Sequence, residues 1–395
     1  MKYAIVIPDG AADRPTALLQ GRTPLEVARI PNMDRIAASG RLGMARFAPE
    51  DLEPGSDVCI LSLIGYDPRR CYTGRAPLEA VARGIELAPR DWAFRMNFVT
   101  VSDGEMADHS AGHITTKEAA VLVEALRQEL ASPEVRFHAG VGYRHLVVIQ
   151  GEDFRVRTTP PHDILGRRVA RHLPRGRGSK RLRALMDAAA GILASHPINK
   201  VRVDLGERPA TGIWLWGQGQ KPYLEPFAAR WGLHGAAITA VDLVRGIARL
   251  IGWDVINVAG ATGYYDTDYA AKGRAAVEAL ADHDLVLVHV EAPDEAGHNG
   301  EVLEKVRALE NIDRLIVGPL LEALEAGGEF RILVAPDHLT PVDLRTHDGG
   351  PVPFAMVGSG LEAVRQGGVM TEAAASKAGL LIEPGHGLME YFLKR

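Results

Sequence analysis

The sequence predicts an α/β protein built on a doubly wound, mostly parallel sheet, with an α+β domain inserted in the middle of the chain. Three observations support this fold class. Short apolar runs alternate with helical stretches at both ends of the chain, the middle shows short alternating strands instead, and polar clusters follow several of the apolar runs. Buried runs that alternate with helices are typical of a parallel sheet covered on both faces.

Composition limits the class of protein before any motif is considered. The chain has 395 residues, of which 46% are hydrophobic and 24% charged, and this length allows more than one domain. The net charge of -5 gives no support for a nucleic-acid or membrane partner. With two cysteines, Cys59 and Cys71, and neither a signal-peptide pattern nor a run long enough to span a bilayer, we expect a cytoplasmic protein.

The first predicted strand is "KYAIVI", a β-branched run without alternation, which favours a buried position in a parallel sheet. It ends at Pro8, and Asp9 follows. The next stretch predicts helical pieces that are interrupted at Pro31 and closed at Gly40. Asp9 would therefore lie at the carboxyl end of a strand, where the sites of parallel sheets gather.

The segment "PGSDVCILSLIGYDP" predicts a turn followed by a helix. Pro54 and Gly55 force the turn, and Ser56 or Asp57 would cap the helix. A serine in front of an apolar helical run is usually only an N-cap. The helix N-terminus would also stabilise a phosphate on the hydroxyl, so Ser56 is the candidate nucleophile, and the two roles are compatible.

The middle of the chain predicts a separate α+β domain. We place this inserted, substrate-covering domain at residues 77–204, which leaves 1–76 and 205–395 for the sheet domain. It contains the basic stretch "RRVARHLPRGRGSKRLR". A solvated, mobile loop is the first interpretation of this stretch, and electrostatic attraction of anionic substrates is the second. Nucleic-acid binding ranks last because no aromatic residue is interleaved.

Five apolar runs predict further strands of the sheet domain, namely "GIWLW", "AAITAV", "DVINVAG", "DLVLVHV" and "FRILVAP". Two of them end in acids and histidines. Asp294 and His298 follow the fourth run and are four residues apart, so they would face the same side of a helical turn. Asp337 and His338 follow the fifth run, and His347 comes soon after.

These side chains indicate a metal site at one edge of the sheet. Mixed carboxylate and imidazole ligands suit Mn²⁺, Zn²⁺ or Mg²⁺ better than a thiolate site would, and no cysteine lies near them in the sequence. Enough ligands are present for two ions. Two ions that share a substrate oxygen are typical of phosphoryl transfer.

The order of "PDG", "PGSD", "PDEAGH", "PDH" and a further histidine resembles the alkaline phosphatase superfamily. Within it, the chain resembles the archaeal-type branch of the 2,3-bisphosphoglycerate-independent phosphoglycerate mutases, which also occurs in bacteria. The resemblance covers essentially the whole chain and includes "TPLEVARIPNMD", "GYDPRRCYTGRAPLEA" and "GATGYYDT". These segments have no generic reason to occur together.

The resemblance implies an alkaline phosphatase-like fold and the interconversion of 3-phosphoglycerate and 2-phosphoglycerate through a phosphoserine. It implies two divalent ions, Mn²⁺ in the first place, with Mg²⁺, Co²⁺ or Zn²⁺ as alternatives. One ion would be held by Asp9, Ser56, Asp337 and His338, and the other by Asp294, His298 and His347. Ser56 would accept the phosphoryl group.

A phosphoglycerate carries a phosphate and a carboxylate, so arginine forks are expected around it. The candidates for substrate binding are Arg75, Arg95, Arg144 and Lys221, with His162 and Asp163 orienting that region. For each one, a surface salt bridge or a helix cap is an equally good interpretation. His109 and His113 in "DHSAGHI" are candidates for moving the proton between the glycerate hydroxyls.

Three other functions compete with the mutase. The nearest is a homoserine kinase, because "MKYAIVIPDGAADRP" is similar to that bacterial group. The second is a plain phosphohydrolase, and the third is an inactive binding module, against which the complete ligand set argues. The expected partner is a small phosphorylated carboxylate, and the sequence leaves the oligomeric state open.

Overall fold

The computed structural model describes residues 1–151, 153–362 and 368–394. It divides into two compact units, one formed by Met1–Tyr72 and Tyr223–Arg395 and the other by Thr73–Pro222. The sequence places the inserted domain at 77–204, so the observed division differs from the expected one at both boundaries. Among the described residues, no helix has the length and apolar character needed to cross a membrane.

The strands and helices are numbered in chain order. The strands are β1 (Lys2–Pro8), β2 (Arg41–Ala45), β3 (Asp91–Ser102), β4 (Glu105–Asp108), β5 (Val135–Val141), β6 (Arg144–Gln150), β7 (Arg155–Arg157), β8 (Arg175–Arg177), β9 (Gly212–Gln220), β10 (Gly235–Ile238), β11 (Asp254–Ile256), β12 (Leu285–Val290), β13 (Phe330–Val334), β14 (Val352–Gly358) and β15 (Leu381–Ile382).

The helices are α1 (Pro24–Val27), α2 (Pro31–Ser39), α3 (Ser56–Leu63), α4 (Pro68–Cys71), α5 (Arg75–Ala82), α6 (Thr116–Leu130), α7 (Ser179–Ser195), α8 (Pro197–Asp204), α9 (Phe227–Trp231), α10 (Asp242–Leu250), α11 (Tyr269–Ala279), α12 (Ala292–Asn299), α13 (Val302–Ile312), α14 (Gly318–Gly327), α15 (Glu372–Lys377) and α16 (Gly387–Leu393). Short 3₁₀ turns occur at Ala17–Leu19, Pro161–Ile164 and Val169–Arg171, and a π-helical turn occurs at Asp313–Val317.

The first unit contains an eight-stranded sheet in the order β11-β10-β12-β1-β13-β14-β2-β15. β1, β10, β11, β12 and β13 run parallel to their neighbours in this group, while β14 is antiparallel to both β13 and β2. β1 is buried along its length after Lys2, and it lies between β12 and β13. The mostly parallel sheet confirms the predicted fold class.

The second unit contains an antiparallel sheet in the order β4-β3-β6-β5, with β9 on the free side of β3. α6 packs against β5, and α7 packs against β9. Phenylalanine, tryptophan and leucine side chains of these elements form the core of the unit, including Phe94, Phe98 and Trp214. The α+β character predicted for the middle of the chain is therefore present.

One strand prediction was wrong. The run "GIWLW" belongs to β9, which pairs antiparallel with β3 in the second unit, and it is no part of the large parallel sheet. A short apolar run predicts burial, but it carries no information on which strand it will pair with. This pairing also places the residues up to Pro222 in the second unit.

The basic stretch is also more regular than a loop. It includes a 3₁₀ turn at Val169–Arg171, the whole of β8 and the first residues of α7. β8 pairs antiparallel with β7, and this ribbon places Arg155 opposite Arg177 and Arg157 opposite Arg175. The four arginines are exposed. The stretch is therefore solvated, as the interpretation as a solvated, mobile loop requires, but it is not a simple loop.

Candidate active site

Acidic and histidine side chains meet at the carboxyl edge of the large sheet. β1 is parallel to both β12 and β13, and Pro8 at its end lies opposite Val290 at the end of β12. Asp9 follows β1, α12 begins two residues after β12, and a bend at Asp337 follows β13. Parallel strands end at the same edge, so residues almost 300 positions apart become neighbours.

The first group of ligands is formed by Asp294 and His298 on α12 and by His347. The His298 Nε2 atom lies 3.3 Å from Asp294 Oδ2 and 3.0 Å from His347 Nε2, and His347 Nε2 lies 3.5 Å from Asp294 Oδ1. The Nδ1 atom of His298 lies 3.1 Å from the carbonyl oxygen of Arg345, to which it donates. This bond leaves Nε2 as the atom available for a metal.

The second group contains Asp9, Asp337, His338 and Ser56. The His338 Nε2 atom lies 3.3 Å from Asp9 Oδ1, 3.4 Å from Asp337 Oδ2 and 3.2 Å from Ser56 Oγ. The Ser56 hydroxyl also lies 3.4 Å from Asp9 Oδ2. The ring, the two carboxylates and the hydroxyl therefore converge on one small volume.

Ser56 does not cap its helix, which corrects the prediction from the sequence. The N-cap of α3 is Gly55, with an extended backbone, and Ser56 is already the first helical residue. No side-chain capping bond is made at this terminus. The helix therefore begins one residue earlier than predicted. The Ser56 hydroxyl lies at the N-terminal end of α3, close to Asp9 and His338.

The second group has the properties of a cation site. Asp337 Oδ1 accepts hydrogen bonds from the backbone amides of Gly10 and His338, both at 3.1 Å, whereas its Oδ2 is buried without a hydrogen-bond partner among the described residues. Burial, followed by the charges of Asp337, Asp294 and Glu291, raises the pKa of Asp9 well above its usual value. Buried carboxylates at such density require a positive charge, and the oxygen and imidazole donors fit a divalent metal.

The histidines of the two groups differ in their electrostatics. The hydrogen bond with Asp294 raises the pKa of His298 to about 9, against the opposing effect of burial. Burial lowers the pKa of His338. Metal binding requires a neutral ring, so an ion at the first group must displace a proton from His298, while His338 is already neutral.

Two glycines allow these loops to approach each other closely. A Cβ atom on Gly10 would collide with Asp294 Oδ1 and would lie 2.6 Å from Thr340 Oγ1, and Gly10 has a positive φ of +59°. A Cβ atom on Gly297 of α12 would collide with the carbonyl oxygen of Thr340. The Thr340 hydroxyl donates to Asp294 through this narrow contact. Gly10 of "PDG" and Gly297 of "EAGH" thus allow the segments around Asp9, Asp294 and Thr340 to lie in close contact.

Sequence reasoning missed two polar residues beside these groups. His289 and Glu291 come from the end of β12, and together with Asp9 they form a third set whose ligand atoms lie within 4.8 Å of one another. His289 Nε2 lies 2.9 Å from Asp9 Oδ2, and Glu291 Oε2 is buried without a hydrogen-bond partner in the described part of the chain. The available signal was a histidine inside the otherwise apolar "DLVLVHV".

A polar and aromatic cluster occupies one part of the second unit. The Arg95 guanidinium lies 4.1 Å from the ring centroid of Trp216, and its Nε atom lies 3.2 Å from Glu79 Oε1. The His162 ring meets the Trp216 ring edge-on at 5.4 Å. The Trp216 side chain therefore contacts both this arginine and this histidine.

Two further predicted residues join the same cluster. The His109 ring lies 6.2 Å from the His162 ring and 5.7 Å from the Tyr143 ring, and the Arg144 guanidinium lies 5.5 Å from Tyr143. Partial burial lowers the pKa of both His109 and His162, although 48% of the His162 side chain is exposed. Arg75 lies close by, since Gly217 is near the side chains of both Arg75 and Arg95. We call Arg95, His109, Tyr143, Arg144, His162 and Trp216 the arginine–aromatic cluster.

The other candidates lie at the surface of the second unit. His113, Asp163 and Lys221 are exposed. Asp163 Oδ1 lies 3.5 Å from His162 Nε2, so it adjoins the cluster. Among the described residues, no hydrogen bond or ion pair connects the side chains of His113 and Lys221 to the cluster, so their predicted roles depend on the sequence alone.

Comparisons with known proteins give a consistent set of names. The family model described as 2,3-bisphosphoglycerate-independent phosphoglycerate mutase matches residues 37–199. A protein of that name from Methanothrix thermoacetophila is 50% identical over 394 residues, which cover 100% of both chains. A probable one from Geobacter sulfurreducens is 48% identical over 401 residues, again with 100% of both chains covered.

Solved structures with the same architecture also exist. A protein from Pyrococcus horikoshii superimposes with a TM-score of 0.84 at 32% identity, covering 99% of this chain and 96% of that chain. The cofactor-independent phosphoglycerate mutase from Thermoplasma acidophilum superimposes with a TM-score of 0.68 at 28% identity, covering 100% and 99%. Both alignments extend over the two units of the fold.

Proposed function

The chain belongs to the 2,3-bisphosphoglycerate-independent phosphoglycerate mutase family, and we propose that it interconverts 3-phosphoglycerate and 2-phosphoglycerate through a phosphoserine at Ser56. It is an isomerase, since a mutase moves a group within one molecule. The observation that carries the proposal is the position of the Ser56 hydroxyl, 3.2 Å from His338 Nε2 and 3.4 Å from Asp9 Oδ2. The reaction would serve glycolysis and gluconeogenesis.

Two divalent ions fit the residues at the sheet edge. Asp294, His298 and His347 would hold one ion, and Asp9, Asp337, His338 and Ser56 would hold the other. When bound, divalent ions stabilise charge on the phosphoryl oxygens and lower the pKa of a nearby hydroxyl. Oxygen and imidazole donors without thiolate are compatible with Mn²⁺, Mg²⁺, Co²⁺ and Zn²⁺. We propose Mn²⁺ in the first place because the resemblance to the family implies it.

Ser56 would carry the phosphoryl group between the two hydroxyls of the glycerate. In the first half, the Oγ atom, as an alkoxide, forms a bond to phosphorus while the bond between phosphorus and the C3 oxygen breaks. In the second half, the C2 oxygen forms a bond to phosphorus and the bond to Oγ breaks. The N-terminal end of α3 favours the negative charge of the phosphoserine.

The net change in the glycerate also includes one proton, which leaves the C2 hydroxyl and reaches the C3 oxygen. His109 is the candidate for this transfer because it lies in the arginine–aromatic cluster and because burial lowers its pKa, so that it releases a proton readily. His113 remains the alternative from the sequence. Arg95 and Arg144 would bind the glycerate carboxylate, with Arg95 held in place by Glu79 and Trp216.

The comparisons do not favour the homoserine kinase hypothesis. The relatives from Methanothrix and Geobacter carry the mutase name over their full length. The complete ligand set at the sheet edge likewise disfavours an inactive binding module.

The decisive assay offers purified protein 3-phosphoglycerate with Mn²⁺ and without 2,3-bisphosphoglycerate, and measures 2-phosphoglycerate. A parallel reaction with ATP and homoserine measures kinase activity. Mutase turnover without kinase turnover is the expected result. Release of inorganic phosphate in place of 2-phosphoglycerate would identify a phosphohydrolase and contradict the proposal.

Replacing Ser56 with alanine tests the phosphoserine directly. We expect Ser56→Ala to lose mutase turnover by more than about 1,000-fold, because the covalent intermediate cannot form. Mass spectrometry of quenched wild-type enzyme should find one phosphoryl group on Ser56. Ser62→Ala is the matched control, since Ser62 is a buried serine of the same helix. Comparable losses in the two variants would remove Ser56 from this role.

A further inference from the structure

A buried histidine lies near the carboxyl end of a strand in the large sheet. His289 belongs to β12, in which all residues are buried, and it lies opposite Ile7 of β1. Its own exposure is 0%. A polar ring at such a position needs hydrogen-bond partners for both nitrogens, and those partners determine what the ring can do.

Both ring nitrogens of His289 have a partner. Nε2 lies 2.9 Å from Asp9 Oδ2, and Nδ1 lies 3.2 Å from the hydroxyl oxygen of Thr239. As a metal ligand Asp9 would be a carboxylate, which only accepts hydrogen bonds, so Nε2 carries the hydrogen of this bond and donates the bond to Asp9. The neutral ring then accepts at Nδ1 from the Thr239 hydroxyl, whose oxygen itself accepts from the Val241 amide at 3.1 Å.

A nearby ammonium group favours the neutral ring. Lys272 is buried, and its Nζ atom donates to the carbonyl oxygen of His289 at 3.2 Å. A second positive charge on the adjacent imidazole would face this ammonium in a region of low dielectric. The two hydrogen bonds that join Thr239, His289 and Asp9 therefore run in one direction: the Thr239 hydroxyl donates to His289, and His289 donates to the Asp9 carboxylate.

We propose that His289, oriented by Thr239, is a positioning residue that fixes which oxygen of Asp9 faces His338. Oδ2 accepts from His289 and lies 3.4 Å from Ser56 Oγ, whereas Oδ1 lies 3.3 Å from His338 Nε2. This inference rests on the two-ion site proposed above. Hydrogen bonds to a metal ligand from such outer residues typically change metal affinity by about 10–100-fold.

The alternative role for His289 is that of a ligand. Asp9, His289 and Glu291 are close enough to hold an ion by themselves. However, the two nitrogens of His289 are already used by Asp9 and Thr239, so the ring has no free lone pair for a metal. Counting the ions bound per chain separates the two roles, because a ligand role predicts a third ion.

The test measures Mn²⁺ binding to metal-free protein by titration, with the ions that remain free followed by electron paramagnetic resonance. We expect two ions for the wild type. His289→Leu should weaken one of them by about 10–100-fold and leave the other unchanged. Thr239→Val should weaken the same ion by a smaller factor, and His289→Gln, which keeps a donor, should recover part of the loss.

His145→Leu is the matched control, because His145 is another buried histidine and belongs to the second unit, whereas both ligand groups belong to the first. Wild-type affinity for both ions in His289→Leu would overturn the proposal, and so would three ions in the wild type. If His289→Leu fails to fold, Thr239→Val decides alone. No substrate is present in these titrations, so a failed mutase assay and a failed positioning role give separate results.

Discussion

At the scale of single residues, Gly10 combines a positive φ with a close contact. Its φ is +59°, and a Cβ atom there would collide with Asp294 Oδ1. We expect Gly10→Ala to lose about 1 kcal/mol of stability from the backbone conformation, and in addition to weaken metal binding at Asp294. Calorimetric Mn²⁺ titration and thermal unfolding would measure the two effects.

Gly21→Ala is the control for that prediction. Gly21 also has a positive φ, +77°, but a Cβ atom added there would have no neighbour within 4 Å among the described residues. It should lose stability and keep metal affinity. If the two variants bound Mn²⁺ equally well, the close approach of Gly10 to Asp294 would have no part in forming the site.

Single residues also show where sequence reasoning reached its limit. The seven side chains predicted to bind metal lie in two groups. They were predictable because each one belongs to a short motif that can be recognised in the sequence without knowledge of the fold. Ser56 was expected to cap α3, but Gly55 is the N-cap. The position of a cap depends on the backbone angles of a single turn, which the sequence does not specify. His289 was missed because its partner, Asp9, is 280 positions away and its strand is otherwise apolar.

At the scale of elements, two different segments carry the two groups. α12 supplies Asp294 and His298, whereas the bend after β13 supplies Asp337 and His338. We expect Asp337→Asn to bind one ion per chain and the wild type two, because the amide removes a charge from the second group only. Metal analysis after dialysis gives the count, and an anomalous-scattering map gives the position of the remaining ion.

The reciprocal variant completes this prediction. Asp294→Asn should keep the ion at Asp9, Asp337 and His338 and lose the other. Treatment with a chelator should remove both ions from the wild type and abolish turnover until Mn²⁺ is returned. Loss of both ions in each single variant would mean that the two groups act as one site, which would contradict the partition.

Elements were predicted best where local pattern is sufficient. The apolar runs of β1, β12 and β13 and the four-residue spacing of Asp294 and His298 identify strands and a helix without knowledge of the fold. The run in β9 was correctly identified as a strand but given to the wrong sheet, and the antiparallel direction of β14 was not foreseen. Pairing and direction depend on contacts between distant segments, which periodicity does not record.

At the scale of the whole molecule, stability should depend on pH through buried histidines. His145 is 2% exposed, and its Nε2 atom has no hydrogen-bond partner among the described residues. Burial, with a smaller contribution from the charge of Arg83, lowers its pKa to about 3. The unfolded chain, with a histidine pKa of about 6.5, therefore binds this proton more readily than the folded protein does.

It follows that the contribution of His145 is fully present above about pH 6.5 and is lost as the pH falls toward about 3, by up to about 1.4 kcal/mol per pH unit. The free energy of unfolding in urea should fall more steeply for the wild type than for His145→Leu between about pH 6.5 and pH 4. Other titrating groups cancel in the difference between the two proteins. Parallel curves would show that His145 is accessible to protons in the folded state.

The division of the chain was the least predictable property at this scale. Composition and the change of pattern indicated an inserted domain, but the second unit extends over Thr73–Pro222, beyond the predicted 77–204. The difference comes mainly from β9, which completes a sheet whose other strands lie more than 60 residues earlier. A boundary of this kind is decided by the pairing of distant strands, and no composition change marks it.

The position of β1 between β12 and β13 has a consequence for synthesis on the ribosome. β1 leaves the exit tunnel long before its neighbours, which begin at Leu285 and Phe330, so it stays without these partners while the chain between them is translated. The second unit, by contrast, is contiguous and can close as soon as β9 has emerged. We therefore expect the second unit to close while the apolar segment of β1 is still exposed, and an exposed apolar segment is what chaperones that bind emerging polypeptides recognise.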